Sequence, residues 1–476
     1  MLLTPLKKSL VVILLCFLSF HAFTQNNSSL DWAKKTGARK QPSSKQTFLV
    51  NDFGATNKGE SLATTAIQKA IDACAIKGGG IVSFKPGTYL TGSIFLKSNV
   101  HLKIDKEVII IGSQDFADYP EIDTRIAGIE MKWPAALINI LDQKNVKISG
   151  DGKINARGKF CWDKYWALRR EYEPKGLRWA SDYDAKRVRS FLVQSSSDVT
   201  LEGLTFANSG FWTVQLLYSD HVTVNKVTIR NNEDGHGPST DGIDIDSSTW
   251  ILVENCDIDC NDDNFCLKAG RDWDGQRVNR PTEYVVIRNS IARRGAGVIT
   301  VGSETAGSIR HVLATGMRGI GTSNGFLIKS ATTRGGTVED IHFTDNIMDS
   351  VRTAFSYTMN WNPAYSYSKL PPGYNYDSIP AHWKILLHQV EPAEKGIPHF
   401  KNIYVSGITV KQSGKAITAV GLDKSYLENF YFSNVKVKAG TAGEISFAKD
   451  WKWTNVTITS DKGDKVAITN STGLSL

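Results

Sequence analysis

Short apolar runs with a strand-like pattern recur along most of the chain from about residue 100 onward. Their spacing is roughly 23 to 35 residues, with longer insertions between some of them. Many of the runs lie beside asparagine, aspartate or glycine, which favour turns. Representative runs are residues 100–104, 146–148, 199–201, 222–224, 251–253, 285–287, 341–343 and 403–405. Repetition at this period, with turn residues at each corner, is typical of a parallel β-helix.

A β-sandwich or a propeller is the alternative for so many short strands. Strands in those folds are joined by hairpin turns, often through Asn-Gly or Asp-Gly between alternating segments. Such hairpins are not the rule in this chain. We therefore predict an all-β protein in which residues 47–476 form a single right-handed parallel β-helix.

One amphipathic helix is predicted before the repeats begin, over residues 63–77. Its apolar face is formed by Ala66, Ile67, Ala70, Ile71 and Cys74. Three consecutive glycines, residues 78–80, end it. A solenoid needs its open end covered, so we expect this helix to cap the first coil.

The N-terminus has the pattern of a secretory signal over residues 1–24. Lys7 and Lys8 precede an apolar run over 10–20, and Ala22-Phe23-Thr24 is a plausible cleavage site. The alternative is a membrane anchor, but the run is shorter than the ~20 residues needed to span a bilayer. We predict export to the periplasm or the medium. Residues 25–46 are polar and basic, which predicts a linker.

Composition adds little that is specific. The formal net charge is +8, and Lys7 and Lys8 account for two of those charges. A mild positive excess is compatible with a polyanionic substrate. Lysines and arginines are scattered, which argues against nucleic-acid binding. No cofactor motif occurs, and we expect no cofactor, no metal, no membrane contact after signal cleavage and a monomer.

Five cysteines follow the signal segment, namely Cys74, Cys161, Cys256, Cys260 and Cys266. An odd number in an exported protein leaves at least one thiol free or intermolecular. Three of them fall in strand-like runs, where buried core thiols are expected. Their spacing is wrong for zinc, and no histidine pair accompanies them.

Three aspartates carry the candidate chemistry. Asp262 and Asp263 lie 21 and 22 residues after Asp241, which is about one coil of a solenoid. Residues one coil apart become neighbours because adjacent strands are about 4.8 Å apart. Clustered carboxylates are what acid–base hydrolysis of a glycosidic bond requires.

Several motifs, in this order, closely resemble family 28 of the glycoside hydrolases, the polygalacturonases and rhamnogalacturonan hydrolases. The likeness runs from about residue 47 to 350 and then fades. The matching segments are Asn51-Asp52-Phe53-Gly54-Ala55, Ala66-Ile67-Gln68, Gly78-Gly79-Gly80, Gly87-Thr88-Tyr89-Leu90, Leu96-Lys97-Ser98-Asn99-Val100, Gly150-Asp151-Gly152, Phe211-Trp212, Thr240-Asp241-Gly242 and Asp262-Asp263.

The resemblance implies a pectin-lyase-like β-helix and an inverting hydrolase. It implies that Asp262 is the general acid, and that Asp241 and Asp263 hold and activate a water on the opposite face. Inverting enzymes need acid and base about 6.5–9.5 Å apart. Crowding of carboxylates also raises at least one pKa, which keeps an acid protonated.

Two motifs depart from the family pattern. The usual Gly-His-Gly is here Gly295-Ala296-Gly297, and the usual Arg-Ile-Lys is Leu327-Ile328-Lys329. The histidine that tunes the acid is absent, as is one of the two basic residues that grip the substrate carboxylate. Either catalysis is lost and the protein only binds sugar, or the cleft serves a different substrate. Retention of all three aspartates favours the second interpretation.

Other residues are candidates for substrate binding. Lys329 keeps the family's lysine position and is a predicted carboxylate anchor. His236 could supply an imidazole, although its place between Gly235 and Gly237-Pro238 favours a surface-turn histidine. Arg271, Arg277 and Arg334 are candidates to replace the missing arginine, and Tyr357 is a weaker candidate contact.

Two aromatic-rich segments interrupt the repeats, at residues 157–190 and 355–383. As groups they resemble walls of a sugar-binding cleft, since flat rings stack on pyranose faces. An insertion over 268–278 is similar to that of exo-acting bacterial members. A loop that closes one end of a groove turns the groove into a pocket.

The sequence therefore predicts cleavage of α-galacturonosyl linkages, by exo-action, in pectic polysaccharide or in oligosaccharides that include rhamnogalacturonan fragments. Two alternatives stay open. One is a polysaccharide lyase on the same solenoid, in which the acidic cluster would hold calcium. The other is a non-catalytic, pectin-binding β-helix.

Overall fold

The computed structural model describes residues 27–233 and 235–475. The predicted signal segment 1–24 lies outside the described residues. Within them, no helix has the length and apolar character needed to cross a membrane.

Almost all strands stack in parallel as three columns, one strand of each column per coil. The first column contains Thr47–Leu49, Gly80–Ser83, Val100–Lys103, Lys144–Ser149, Ser197–Glu202, Asp220–Asn225, Thr249–Glu254, Thr282–Arg288, Ile309–Thr315 and Thr337–Thr344. The second contains Lys58–Leu62, Gly87–Thr91, Val108–Gly112, Lys153–Asn155, Thr205–Ala207, Thr228–Arg230, Asp257–Asp259, Ile291–Arg293, Arg318–Ile320 and Ile347–Asp349. The third contains Ile94–Leu96, Ile138–Leu141, Phe191–Gln194, Val214–Leu217, Ile243–Asp246, Phe265–Lys268, Gly297–Val301, Asn324–Lys329 and Val351–Thr358.

The last coils have longer strands that turn the corners without a break. His399–Val420 and Leu427–Ser446 each run through all three columns, and Ala448–Lys449, Lys452–Ser460 and Ala467–Thr469 complete the stack. One antiparallel hairpin, Glu121–Ile126 with Ile129–Pro134, projects from the solenoid. The chain is therefore the right-handed parallel β-helix that the period predicts.

The interior is filled by equivalent residues of successive coils. In the third column Leu216, Ile245, Leu267 and Val301 occupy one register row, and all are fully buried. Because side chains alternate along a strand, their neighbours in sequence point outward. Fully burying one such side chain contributes about 1.5–3 kcal/mol, and the rows repeat along the whole solenoid.

One corner of the coil is built from a column of residues with left-handed backbone. Their φ angles lie between 51° and 63°, in the order Asn99, Asn145, Asp198, His221, Trp250, Tyr284, His311, Asp340, Asn402 and Asn429. Asparagine tolerates this conformation, and the Asn145 amide donates to Asn99 at 2.8 Å. In the middle coils stacked rings replace the amides, with Trp250 and Tyr284 at 4.2 Å between centroids.

The segment before residue 47, expected to be a linker, lies along this corner. Trp32 packs edge-on against Tyr284 with centroids 5.6 Å apart. Arg39 donates to the Asp198 carboxylate at 2.8 and 3.0 Å, and the Gly37 amide donates to the Trp250 carbonyl at 2.9 Å. The described part of this segment therefore packs on the β-helix rather than hanging free of it.

The predicted capping helix is present as α1, Thr64–Ile76, and buries Ile67, Ala70, Ile71 and Cys74. The other α-helices are α2 Lys159–Tyr172, α3 Ser181–Asp184, α4 Asp272–Val278, α5 Pro363–Ser366 and α6 Ala381–Leu387. The 3₁₀ helices are Asn27–Lys35, Val50–Phe53, Phe116–Asp118, Glu173–Lys175, Tyr376–Ser378 and Ala393–Gly396. The five cysteines of the described residues are buried free thiols, and burial was expected for Cys256, Cys260 and Cys266.

Three insertions pack together on one side of the β-helix. They are the antiparallel hairpin, the segment that carries α2 and α3, and the segment that carries α5 and α6. Their shared apolar cluster includes Ile126, Trp133, Trp179, Tyr183 and Trp383. Trp179 also donates from its indole to the Lys369 carbonyl at 3.1 Å. This cluster stands beside the outer face of the third column.

Candidate active site

The predicted aspartates meet on the outer face of the third column. Asp241 precedes the strand Ile243–Asp246, and Asp262 and Asp263 precede the strand Phe265–Lys268. These strands pair with Ile243 opposite Phe265, an offset of 22 residues. Asp241 and Asp263 are therefore equivalent positions of neighbouring coils, as the spacing predicts.

Fixed hydrogen bonds hold two of the three carboxylates. Asp263 accepts from the Thr300 hydroxyl at 2.7 Å and from the Lys329 ammonium at 2.8 Å. Asp262 accepts from the Asp263 backbone N–H at 3.0 Å. Asp262 is the most accessible of the three, because Asp241 and Asp263 are almost fully buried.

The two adjacent aspartates differ in protonation. Burial and the neighbouring Asp263 charge raise the pKa of Asp262 to about 6. Burial also acts on Asp263, but Lys329, Lys268 and the Thr300 hydrogen bond outweigh it and lower the pKa of Asp263. At mildly acidic pH the pair therefore holds one acid and one carboxylate side by side.

A second layer of charge lies around Lys268. Its ammonium is 3.6 Å from both Asp241 and Asp244 and 3.5 Å from Glu304. Burial raises the pKa of Asp241 well above its usual range, and the charges of Asp244 and Asp262 add to the effect. Asp244 is fully buried, and neither of its oxygens has a hydrogen-bond partner among the described residues. This layer favours a protonated Asp241 in the free protein.

The three carboxylates lie close together. One oxygen of each of Asp241, Asp262 and Asp263 lies within 4.8 Å of the others. That value is the approach of single atoms, whereas the ~6.5–9.5 Å of typical inverting enzymes refers to whole carboxyl groups. Carboxylate separation therefore does not decide the stereochemistry of this site.

An open pocket lies over the aspartates. Ala127 of the hairpin, Arg178 and Asp182 of the α2–α3 segment, and Trp361 and Tyr365 of the α5–α6 segment line it. The three insertions thus form its wall, and the outer face of the third column forms its floor.

Lys329 and His236 have different positions relative to this pocket. Lys329 lines it, with its ammonium bound to Asp263 and 4.4 Å above the Trp361 ring. His236 does not line it. Its ring stacks on Trp166 and bonds Asn261 at 3.0 Å, next in sequence to Asp262. A role for His236 in binding stays a prediction.

Two predicted contacts are not available to a substrate. Arg271 is fully buried and is bound to Asp272, the Tyr183 hydroxyl and the carbonyls of Tyr365 and Ser366. It buttresses the pocket wall from behind. Tyr357 is also fully buried and points into the β-helix, where its ring packs against Phe430.

The other arginine candidates are occupied as well. Arg334 is buried against Asp272, and Arg277 is bound to Glu130 and Asp274. The insertion 268–278 forms α4, which packs behind the wall, with Trp273 stacked on His388. Closure of the pocket therefore comes from the hairpin and the two aromatic-rich segments, with α4 in support.

Sequence reasoning missed Arg178, Asp182 and Lys268. Lys268 could have been found by alternation, since it is two residues after Cys266 on the same outward row of a strand that follows the aspartate pair. No periodic signal marks Arg178 or Asp182, because they belong to an insertion.

Among the residues that the structure describes, two groups of ligand atoms are close enough to hold a metal ion. They are Asp241 with Asp262 and Asp263, and Asp241 with Asp244 and Cys266. Ammonium groups already serve both, Lys329 at Asp263 and Lys268 at Asp241 and Asp244. Because lysines supply the positive charge, we assign no metal to the site.

Comparison with known proteins agrees with this arrangement. The sequence profile of glycosyl hydrolases family 28 matches residues 80–366. A probable polygalacturonase of Vitis vinifera is 30% identical over 77% of this chain and 74% of its own. An exo-poly-alpha-D-galacturonosidase of Dickeya chrysanthemi is 26% identical over 86% of this chain and 70% of its own.

Solved structures share the fold. The exopolygalacturonase of Thermotoga maritima superimposes with a TM-score of 0.73 at 23% identity, over 91% of this chain and 96% of its own. Its likeness concerns architecture, whereas the profile match spans more than half of the sequence and includes all three aspartates. The chain is a glycoside hydrolase and belongs to family 28 of the glycosyl hydrolases.

Proposed function

We propose that this protein is an inverting, exo-acting hydrolase that removes galacturonic acid from the ends of pectic chains. The observation that carries the proposal is the arrangement of two adjacent aspartates under the pocket, where Lys329 and Thr300 bind Asp263 and Asp262 accepts a backbone N–H. Burial raises the pKa of Asp262 to about 6, while Lys329 and Lys268 overcome burial and lower the pKa of Asp263. Cleavage of a glycosidic bond needs one carboxyl group in each state.

In the proposed reaction Asp262 donates its proton to the oxygen of the leaving sugar. Positive charge then develops at the anomeric carbon. Asp263, held ionised by Lys329, takes a proton from the water that attacks the opposite face of the sugar ring. Asp241 orients that water by a hydrogen bond. The carbon is inverted, so the galacturonic acid is released as its β-anomer.

Exo-action is supported by the shape of the site. Three insertions wall the space over the aspartates into a pocket, where an endo-acting enzyme needs a groove open at both ends. The related Dickeya protein is an exo-poly-alpha-D-galacturonosidase by name. We propose galacturonan ends as the substrate, with rhamnogalacturonan-derived oligosaccharides as the second candidate.

We also propose that the protein acts outside the cytoplasm. The Lys7-Lys8 pair and the apolar run after it support export to the periplasm or the medium. We propose that residues 1–24 are removed and that the protein acts as a monomer on pectic substrate.

One digestion tests the proposal against its rivals. Polygalacturonate incubated with the purified protein is followed by proton NMR, viscometry and ultraviolet absorbance. We expect β-galacturonic acid as the first product, a slow fall in viscosity and no unsaturated sugar. Initial α-anomer would contradict inversion, and a rapid fall in viscosity would contradict exo-action. Ultraviolet absorbance would indicate a lyase, and no product from any pectic fraction would indicate a binding module.

The pH dependence of kcat/KM tests the assignment of the acid. Asp262 must be protonated, so kcat/KM is expected to hold below its pKa and to fall about tenfold per pH unit above about 6. Trigalacturonate is the substrate, because its own carboxyl groups stay ionised across this range. A descending limb that does not coincide with this pKa would assign the proton to another group.

A further inference from the structure

Leu327, at the position where the family resemblance implies an arginine, is apolar and offers no charge to a ligand. A uronate substrate nevertheless carries a carboxylate that must be compensated when it leaves water. Three cationic side chains line the pocket, namely Arg178, Lys268 and Lys329. The substrate carboxylate should bind the side chain whose positive charge is not already neutralised by protein carboxylates.

Neither lysine has a free charge. Lys329 is bound to Asp263 at 2.8 Å, and this contact keeps the catalytic carboxylate ionised. Lys268 is shared among Asp241, Asp244 and Glu304. A substrate carboxylate at either ammonium would compete with groups that the reaction uses.

Arg178 belongs to a locally positive cluster. Its Nη1 donates to Asp182 at 2.7 Å, and Arg187 donates to the other oxygen of the same carboxylate at 2.9 Å. Two guanidinium groups thus share one buried carboxylate, which leaves an excess of one positive charge. Glu173 is 3.7 Å from the Arg178 Nε but is about half exposed and is bound to Arg169 at 2.7 Å.

The free donors of Arg178 are fixed in place. Its guanidinium carbon lies 5.0 Å from the centre of the Tyr365 ring, a cation–π contact that restrains the group. Within the described residues its only hydrogen bond runs from Nη1 to Asp182, and Nε is buried beside Glu173, which leaves Nη2 as the donor for a ligand. Arginine presents paired donors that match a carboxylate, which a lysine cannot do. Arg187, by contrast, is fully buried and does not line the pocket.

We propose that Arg178 binds the carboxylate of the terminal galacturonosyl unit and replaces the family arginine lost at Leu327. The inference rests on the proposed function and goes beyond it. The determinant of uronate recognition has moved from the β-helix to an insertion that also closes the pocket. Acceptance of an acidic sugar and restriction to chain ends thus reside in one segment. The enzyme should discriminate against a methyl-esterified terminal sugar.

The experiment compares two substrates in four proteins. The substrates are trigalacturonate and the same trimer methyl-esterified at its non-reducing terminal sugar. The proteins are the wild type, Arg178→Gln, Arg178→Lys and Arg170→Gln. Arg170 is the matched control, since it is an exposed arginine of α2 in the same insertion and does not line the pocket.

Arg178→Gln is expected to lower kcat/KM for trigalacturonate about 10- to 100-fold, the size of a charged hydrogen bond, mainly through KM. It should change kcat/KM for the ester less than threefold, and wild-type enzyme should already prefer the acid. Arg178→Lys should recover part of the loss, and Arg170→Gln should behave as wild type.

Equal losses on both substrates would overturn the inference, because they would show that Arg178 only supports the wall. An unchanged kcat/KM for the acid would overturn it as well. A wild-type enzyme that is inactive on trigalacturonate and on polygalacturonate would instead refute the proposed function. Binding of trigalacturonate to Asp262→Asn, with and without Arg178→Gln, separates these cases by calorimetry, because it reports the carboxylate contact without turnover.

Discussion

Asp262→Asn is expected to lower kcat on trigalacturonate about 10²- to 10⁴-fold, the usual contribution of a general acid. The substitution is conservative at this site. Asp262 has a pKa of about 6 and is neutral in the active form, so a neutral amide leaves the charges around Asp263 unchanged. The amide oxygen can still accept from the Asp263 backbone N–H. Fold and substrate binding should therefore persist while proton donation is lost.

Two controls isolate proton donation from structural damage. Asp257→Asn removes a partly exposed carboxylate that is bound to Arg293 on the second column, and it should keep wild-type kcat. Galacturonosyl fluoride has a leaving group that needs no protonation, so Asp262→Asn should retain much of its activity on it. A kcat for trigalacturonate within tenfold of wild type, or an equal loss on the fluoride, would remove Asp262 from the role of acid.

The sequence predicts those site residues that lie on the repeating strands of the β-helix. A gap of 22 residues from Asp241 to Asp263 places the two at equivalent positions of adjacent coils, and the strand register confirms it. Backbone pairing in a solenoid fixes which residues are neighbours, so period alone carries this information. The capping helix was predictable for a similar reason, because its apolar stripe has a single period.

The strand register also explains why the prediction for Tyr357 is wrong. Tyr357 and Ser356 are adjacent in the strand Val351–Thr358, and Ser356 is the one opposite Leu327 on the outer face. Tyr357 pairs with Ile328 in the interior row. A shift of one residue moves a side chain from one face of a strand to the other. Beyond about residue 350 no family motif shows which residues of the strand face outward. The prediction that Tyr357 contacts substrate therefore assigns it to the outer face, which is wrong.

The positions of residues in the insertions are the second feature that the sequence does not predict. Arg271 and Arg178 both follow segments without a period, so their burial depends on how the insertions pack against each other. Arg271 is enclosed by the hairpin, whose Gly128 carbonyl accepts from its amide at 2.9 Å. Arg178 is brought over the aspartates by the apolar cluster of Trp179 and Trp383. Local sequence contains neither of these tertiary contacts.

Lys329→Met should lower kcat on trigalacturonate about 100-fold or more near pH 5, with a smaller change in KM. Removing one partner of a buried ion pair costs about 3–5 kcal/mol, because the other charge is left uncompensated. Asp263 is almost fully buried and would keep the Thr300 hydroxyl, the weak thiol donor of Cys266 and a more distant Lys268. Its pKa must rise, and the carboxylate that should accept the proton of the water takes up a proton from solvent.

The sign of the pH effect follows from the two aspartates. The reaction needs Asp262 protonated and Asp263 ionised, and in the wild type the pKa of Asp263 is lowered while that of Asp262 is about 6. The enzyme is therefore active at pH values between the pKa of Asp263 and the pKa of Asp262. A raised pKa of Asp263 shortens this pH range at its acidic end, so the loss of kcat should become larger as pH falls. The stability that the lowered pKa gives above the unfolded pKa of an aspartate, about 3.9, would be lost too.

The family resemblance implies a different role for Lys329, as the anchor of the substrate carboxylate. Kinetic constants distinguish this role from that of keeping Asp263 ionised. An anchor acts on binding, so its loss would raise KM and leave the acidic limb of the pH profile in place. A residue that keeps Asp263 ionised acts on kcat and moves that limb. Lys329→Arg retains the charge and should retain most of kcat. Lys401→Met, which removes a half-exposed ion pair with Glu339, should change neither constant. A raised KM with unchanged kcat in Lys329→Met would assign the carboxylate to Lys329 and leave Arg178 as a wall residue.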